Sequence, residues 1–106
     1  DCGQAINPAI VESQIQGAII YGLSGSLNAQ INIENGRVVQ GNFDDYPLPK
    51  LKIAPVIDVH IINSGEQPGG IGEAGTPLVG PTVANALFAA TGKRIRRLPI
   101  RRSDVV

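Results

Sequence analysis

The sequence predicts an α+β fold, two helices packed on a small mixed or antiparallel sheet, and three observations predict it. Apolar residues recur at three- and four-residue steps in two stretches, residues 11–23 and 79–90. An Asn-Gly pair at 35–36 is flanked by two strand-like runs. A further alternating run, 56–62, stands between the helical stretches. With 106 residues there is room for one domain with a modest core.

The first helix should start at Asn7-Pro8, where Asn can cap free amides and Pro suits the first helical position. Val11, Ile15, Ala18, Ile19 and Leu23 then form its apolar stripe, as far as about Ser26. Gly17, Gly22 and Gly25 weaken it, each by up to about 1 kcal/mol relative to Ala, so something is expected to pack closely against this helix. Gln30 to Glu34 alternates polar and apolar, Asn35-Gly36 tolerates the positive φ of a type I′ turn, and Arg37 to Gln40 returns. Pro47, Pro49 and Pro55 make 41–55 a loop holding Phe43 and Tyr46. Val56 to Ile62 reads as a strand, with Ile57, Val59 and Ile61 on one face and Asp58 and His60 on the other. After a polar turn and a glycine-rich stretch, the second helix is predicted to begin near Pro77 or Pro81. It should end at Gly92 in a left-handed cap, with a last strand over Ile95 to Ile100.

Composition removes several function classes. One cysteine, Cys2, excludes an internal disulfide and any four-cysteine zinc or iron–sulfur site, and reads as a small buried apolar residue. No apolar run approaches the roughly 20 residues of a membrane span, and no leader segment is visible. Six of the nine basic residues fall between Lys93 and Arg102, while residues 1–92 carry three basic and eight acidic groups, a net of −5. That basic cluster lacks an aromatic residue for stacking, which argues against nucleic acid and for a solvated face or a surface against other protein. His60, the only histidine, reads as a solvated strand residue.

Chemistry concentrates in Gly69-Gly70-Ile71-Gly72-Glu73-Ala74-Gly75. Four glycines within seven residues surround one carboxylate. Glycine permits unusual backbone angles and close approach to a bulky ligand, and a tight, water-poor surrounding would make Glu73 a useful base. The same segment also reads as a turn entering a helix, with Glu73 favoured at its positive end; the residues alone leave both readings open. Gly70 to Gly75 additionally matches the dinucleotide pattern G-x-G-x-x-G. Against it, a polar stretch separates the strand from the first glycine. Prolines interrupt the following helix, and basic residues stand where an acid should hold the ribose.

Pro68 to Pro77 resembles the active-site glutamate motif of the xanthine oxidase and aldehyde oxidoreductase family of molybdenum hydroxylases, in its isoquinoline 1-oxidoreductase-like branch. Asp1-Cys2-Gly3 with Asn7-Pro8, Gln14-Ile15-Gln16-Gly17-Ala18, Asn42 to Pro47 and Ala84 to Arg96 match the same family in order, so the resemblance covers essentially the whole chain. It implies a fragment, residues 1–106, from the C-terminal part of the molybdopterin-binding domain of a large subunit. In that family a pterin dithiolene holds molybdenum, expected here in a dinucleotide form, and a glutamate deprotonates the metal-bound hydroxide. The hydroxide attacks an aldehyde or N-heterocycle, hydride passes to a sulfido ligand, and two [2Fe–2S] clusters on a partner domain or subunit carry the electrons away. By position Glu73 is the base, Gln14 a cofactor contact and Gly72 a point of close approach, with no metal ligand in the chain. The resemblance further implies that the fragment alone holds no cofactor and is inactive, and that the complete enzyme works in the cytoplasm, with the periplasm as alternative. A small nucleotide-binding module and an assembly domain with a basic docking tail are the rival readings.

Overall fold

Helix α1 runs from Pro8 to Leu27 in the computed structural model, which describes residues 1–106. The Asn7 side chain caps it, accepting from the Ile10 N–H at 3.3 Å, with Pro8 in the first turn. Strands β1 (Ile33–Glu34) and β2 (Arg37–Val38) form the expected antiparallel hairpin, pairing Ile33 with Val38 and Glu34 with Arg37. Asn35 and Gly36 take φ of 50° and 75°, the left-handed pair that this turn demands. The ladder is shorter than the alternation suggested, extended only by a Val39 N–H to Asn32 carbonyl bond of 2.9 Å. Helix α2 spans Thr76–Thr91 and carries Pro81 inside it. It stops at Gly92, whose φ of 72° and N–H bond to the Phe88 carbonyl (2.8 Å) make the expected left-handed cap.

The two helices pack on each other. Gly75 lies against Ala18, Gly22 under Thr76 and Val79, and Gly80 against Ser26, so the contacts advance in the same sense along both helices. Ala18, Gly22 and Ser26 recur every four residues and put one face of α1 under α2. The Ser26 hydroxyl donates to the Gly22 carbonyl at 2.7 Å, and the Thr76 hydroxyl donates to the Ala18 carbonyl at 3.3 Å. Cys2 is buried, as its residue type suggested. The hairpin stands away from this pair.

Two expected strands do not form. Residues 56–62 take no regular secondary structure, although their burial alternates as predicted, with Ile57, Val59 and Ile61 half-buried and Asp58 and His60 exposed. Their backbone nevertheless pairs with no other strand; the one link is the Gln16 amide donating to the Ile57 carbonyl at 3.4 Å. A ladder needs a second strand at about 4.8 Å, and these residues have none beside them. Residues 95–100 also lack a ladder. Instead the Ile100 N–H donates to the Ser26 carbonyl at 2.7 Å, tying the basic segment to the end of α1. Within that segment the Arg94 guanidinium lies 3.5 Å over the Phe88 ring and Arg101 donates to the Gln30 side chain at 2.7 Å.

The chain is open. It exposes 8048 Å², whereas a globular protein of 11.1 kDa exposes about 5,700 Å². Its radius of gyration of 16.7 Å likewise exceeds the roughly 13 Å of a compact chain this long. Only nine residues are buried, and large apolar side chains such as Leu51 (92% exposed) and Val56 (93%) face outward.

Candidate active site

Gln14, Gly72 and Glu73, far apart in sequence, line a single cavity of about 650 Å³. Helix α1 supplies one wall. Ser13, Gln14, Gly17, Ala18 and Tyr21 share a helical face, two adjacent rows at steps of three and four residues (13, 17, 21 and 14, 18, 21). The other wall is the approach to α2, with Gly72, Glu73, Thr76 and Pro77. A volume of that size suits a small-molecule or cofactor site.

Glu73 sits in the turn before α2, where its own carbonyl accepts the Thr76 N–H at 3.0 Å. Its carboxylate makes no hydrogen bond within the chain, and the N-cap position of α2, Gly75, has no side-chain cap. Glu73 thus lines the cavity without bonding the amides of the helix end. The Gln14 amide is also without a partner, and its Oε1 lies 3.9 Å from where a Cβ on Gly72 would stand. Gly17 faces open space, since nothing of the chain lies within 4 Å of a Cβ placed there. The α1 backbone is therefore accessible to something that is not part of these 106 residues.

The surroundings of Glu73 differ from the expectation of a tight, water-poor site. Glu73, Gly72 and Gln14 are all exposed to solvent. Glycines leave space, but excluding water requires bulky walls, and the two walls built here leave the cavity open to solvent. Tyr21, 73% exposed at the end of the cavity, was not singled out by motif. Its position seven residues after Gln14 on one helical face would have revealed it.

No three His, Cys, Asp or Glu residues stand together, so the chain offers a polar wall and not a ligand set for a metal. That wall fits a pterin-held metal: a glycine cradle, an amide free to donate and accept, and an unpaired carboxylate share one cavity. A dinucleotide loop is not supported, because no paired strand leads into Gly70 to Gly75.

Comparison with known proteins agrees. The molybdopterin cofactor-binding domain family matches residues 1–55, which include Gln14 and Gly17. The chain belongs to that family. It is 38% identical over 106 residues to a protein of Gluconacetobacter polyoxogenes named membrane-bound aldehyde dehydrogenase (pyrroloquinoline-quinone), covering all of this chain and 14% of that one. The quinone and the membrane in that name are properties given to that protein alone. Isoquinoline 1-oxidoreductase subunit beta of Brevundimonas diminuta is 35% identical, over 95% of this chain and 13% of its own. Crystalline quinoline 2-oxidoreductase of Pseudomonas putida 86 superposes with a TM-score of 0.82 at 28% identity, covering 94% of this chain and 14% of that one. The chain thus spans about one seventh of the relatives it matches. No helix is long and apolar enough to cross a membrane.

Proposed function

We propose that residues 1–106 are the C-terminal part of the molybdopterin-binding domain in the large subunit of a molybdenum hydroxylase. The complete enzyme would oxidise an aldehyde or an N-heterocycle with oxygen taken from water. The observation that carries this reading is the convergence of Gln14, Gly72 and Glu73 on one cavity, with both polar side chains free of partners. The names of the relatives support the substrate classes, since one is an aldehyde dehydrogenase and two act on quinoline-type rings.

When bound, the molybdenum pterin, in a dinucleotide form, supplies oxygen transfer from water and takes up two electrons. Gln14 holds this group through its side-chain amide, and Gly17 and Gly72 leave the room for it that a Cβ would fill. Glu73 is the general base: its carboxylate accepts the proton that the water-derived oxygen must lose as it attacks carbon. The remaining segments of the subunit complete the walls, exclude water from Glu73 and select the substrate. [2Fe–2S] clusters on a partner domain or subunit pass the electrons on, as the lone Cys2 cannot ligate them.

Glu73→Gln in the complete enzyme tests the base. It keeps size and shape but accepts no proton, so kcat should fall about 10²–10⁴-fold with molybdenum content and melting temperature near wild type. Glu73→Asp should also be poor, because its carboxylate is drawn back by about one methylene. A glutamate that only favours the helix end contributes about 0.3–1 kcal/mol to stability and nothing to turnover. Near-normal turnover of fully loaded Glu73→Gln enzyme would refute the assignment.

A further inference from the structure

Residues 1–4 hold the loop that leads to Glu73 through contacts that tolerate almost no change. Gly3 is buried at a φ of 70°, and a Cβ there would run into the Gln67 carbonyl oxygen. It would also stand 2.8 Å from both the Gln67 carbonyl carbon and the Glu66 oxygen. All three atoms are backbone, so no side chain can swing away. Around Gly3, the Gln4 N–H donates to the Glu66 carbonyl at 3.0 Å and the Gly69 N–H donates to the Cys2 carbonyl at 2.8 Å. One oxygen of Asp1 joins the two segments, accepting from the Gly3 N–H at 2.8 Å and from the Ser64 hydroxyl at 2.9 Å.

Downstream of the Gly69 bond, two of the three residues before Glu73 (Gly70 and Gly72) are glycines with no side chain to fix them. The next anchor lies beyond Glu73, at Thr76, whose N–H and hydroxyl bond the Glu73 and Ala18 carbonyls. Glu73 therefore hangs between two attachments. The first is continuous with α1, which begins four residues after Gln4 and carries Gln14.

We propose that residues 1–4 clamp the glutamate loop and that Gly3 is a positioning residue for Glu73, an inference that rests on Glu73 being the base. Through the clamp, the segment that starts the Gln14 helix also sets where the carboxylate stands. Ordinary contact begins near 3.4 Å, so Gly3→Ala must push the backbone of 66–67 back by at least about half an ångström. The glycines pass that displacement on, and misplacing a catalytic group by about 1 Å can cost about 10²-fold.

The test uses the complete enzyme. Gly3→Ala should lower kcat about 10–100-fold with KM within about twofold of wild type, and amide exchange across 66–73 should rise. Asp1→Asn keeps the accepting oxygen and should stay near wild type, while Asp1→Ala should lose part of kcat. This pair remains informative if Gly3→Ala enzyme does not accumulate. The deciding measurement repeats Gly3→Ala, or Asp1→Ala, in Glu73→Gln enzyme. A positioning role predicts almost no further loss there, because no base remains to be misplaced. Equal losses in both backgrounds, or wild-type kcat and exchange in Gly3→Ala, would overturn the proposal. Normal turnover in Glu73→Gln alone would remove the base reading beneath it, a distinct result.

Discussion

Three glycines of α1 look equivalent in sequence, and the structure separates them sharply enough to predict opposite responses to alanine. A Cβ on Gly22 would stand 2.7 Å from Val79 Cγ2, 2.8 Å from Val79 Cβ and 2.8 Å from the Thr76 carbonyl oxygen. Ordinary contact begins near 3.4 Å, so α2 must retreat by about 0.7 Å, and a new Val79 rotamer would not relieve the backbone oxygen. Overpacking of this kind costs about 1–3 kcal/mol, against a gain of about 1 kcal/mol from replacing Gly by Ala within a helix. Gly22→Ala should therefore destabilise the helix pair, by up to about 2 kcal/mol. Gly25 has nothing within 4 Å, so Gly25→Ala should stabilise by up to about 1 kcal/mol. The two variants should differ by the overpacking cost, about 1–3 kcal/mol. Gly17→Ala is equally free of clash but points into the cavity, so it should keep the helix stable while lowering molybdenum content. Native-state amide exchange of α1 and α2 in the complete subunit reads local opening free energies and suits the comparison. A Gly22→Ala subunit whose helices open no more readily than those of Gly25→Ala would refute the close-packing argument.

Two further outcomes are expected. The isolated 106-residue chain, with its excess exposed surface, should self-associate in sedimentation and contain no stoichiometric molybdenum; amides 57–62 should exchange freely in any monomeric fraction, since their N–H groups donate to no backbone acceptor. NAD and FAD should not bind it measurably by calorimetry; micromolar binding lost on Gly72→Ala would favour a nucleotide loop.

What could be read from the sequence was local. The Asn7 cap, the Asn35-Gly36 turn and the Gly92 stop each depend on residues within about four positions, and all three are in place. The alternation at 57, 59 and 61 was equally legible and is reproduced in burial, but a strand is a relation between two segments. Periodicity states which face a segment would bury and says nothing of whether a partner lies beside it. The same reasoning separates the glycines, whose identity shows that space is wanted and not which neighbour wants it. Of the candidate site, the motif identified Glu73, Gln14 and Gly72, and the fold brought them to one cavity. Tyr21 was legible in the helical spacing from Gln14, whereas the Gly3 contact with Gln67 required three-dimensional packing to be seen.

The openness of the chain bears on how its site is built. About 2,300 Å² of surface beyond that of a compact protein is comparable to a large protein interface, yet the helix pair beneath it is closely packed around Gly22. The two facts are compatible because they concern different distances. Helix caps, the α1–α2 contact and the 1–4 clasp fix Gln14 and Glu73 relative to each other using residues of this chain alone. Dryness is different in kind: an exposed carboxylate is shielded only when further walls close over it, and the two walls that these 106 residues supply leave the cavity open to solvent. The mutual placement of the polar groups thus rests on contacts within this chain, separate from whatever shields the site. If that division holds, substitutions at the clasp or at Gly22 should disturb the mutual placement of Gln14 and Glu73. Substitutions at outward residues such as Leu51 and Val56 should instead disturb assembly and cofactor retention while leaving the helix pair intact.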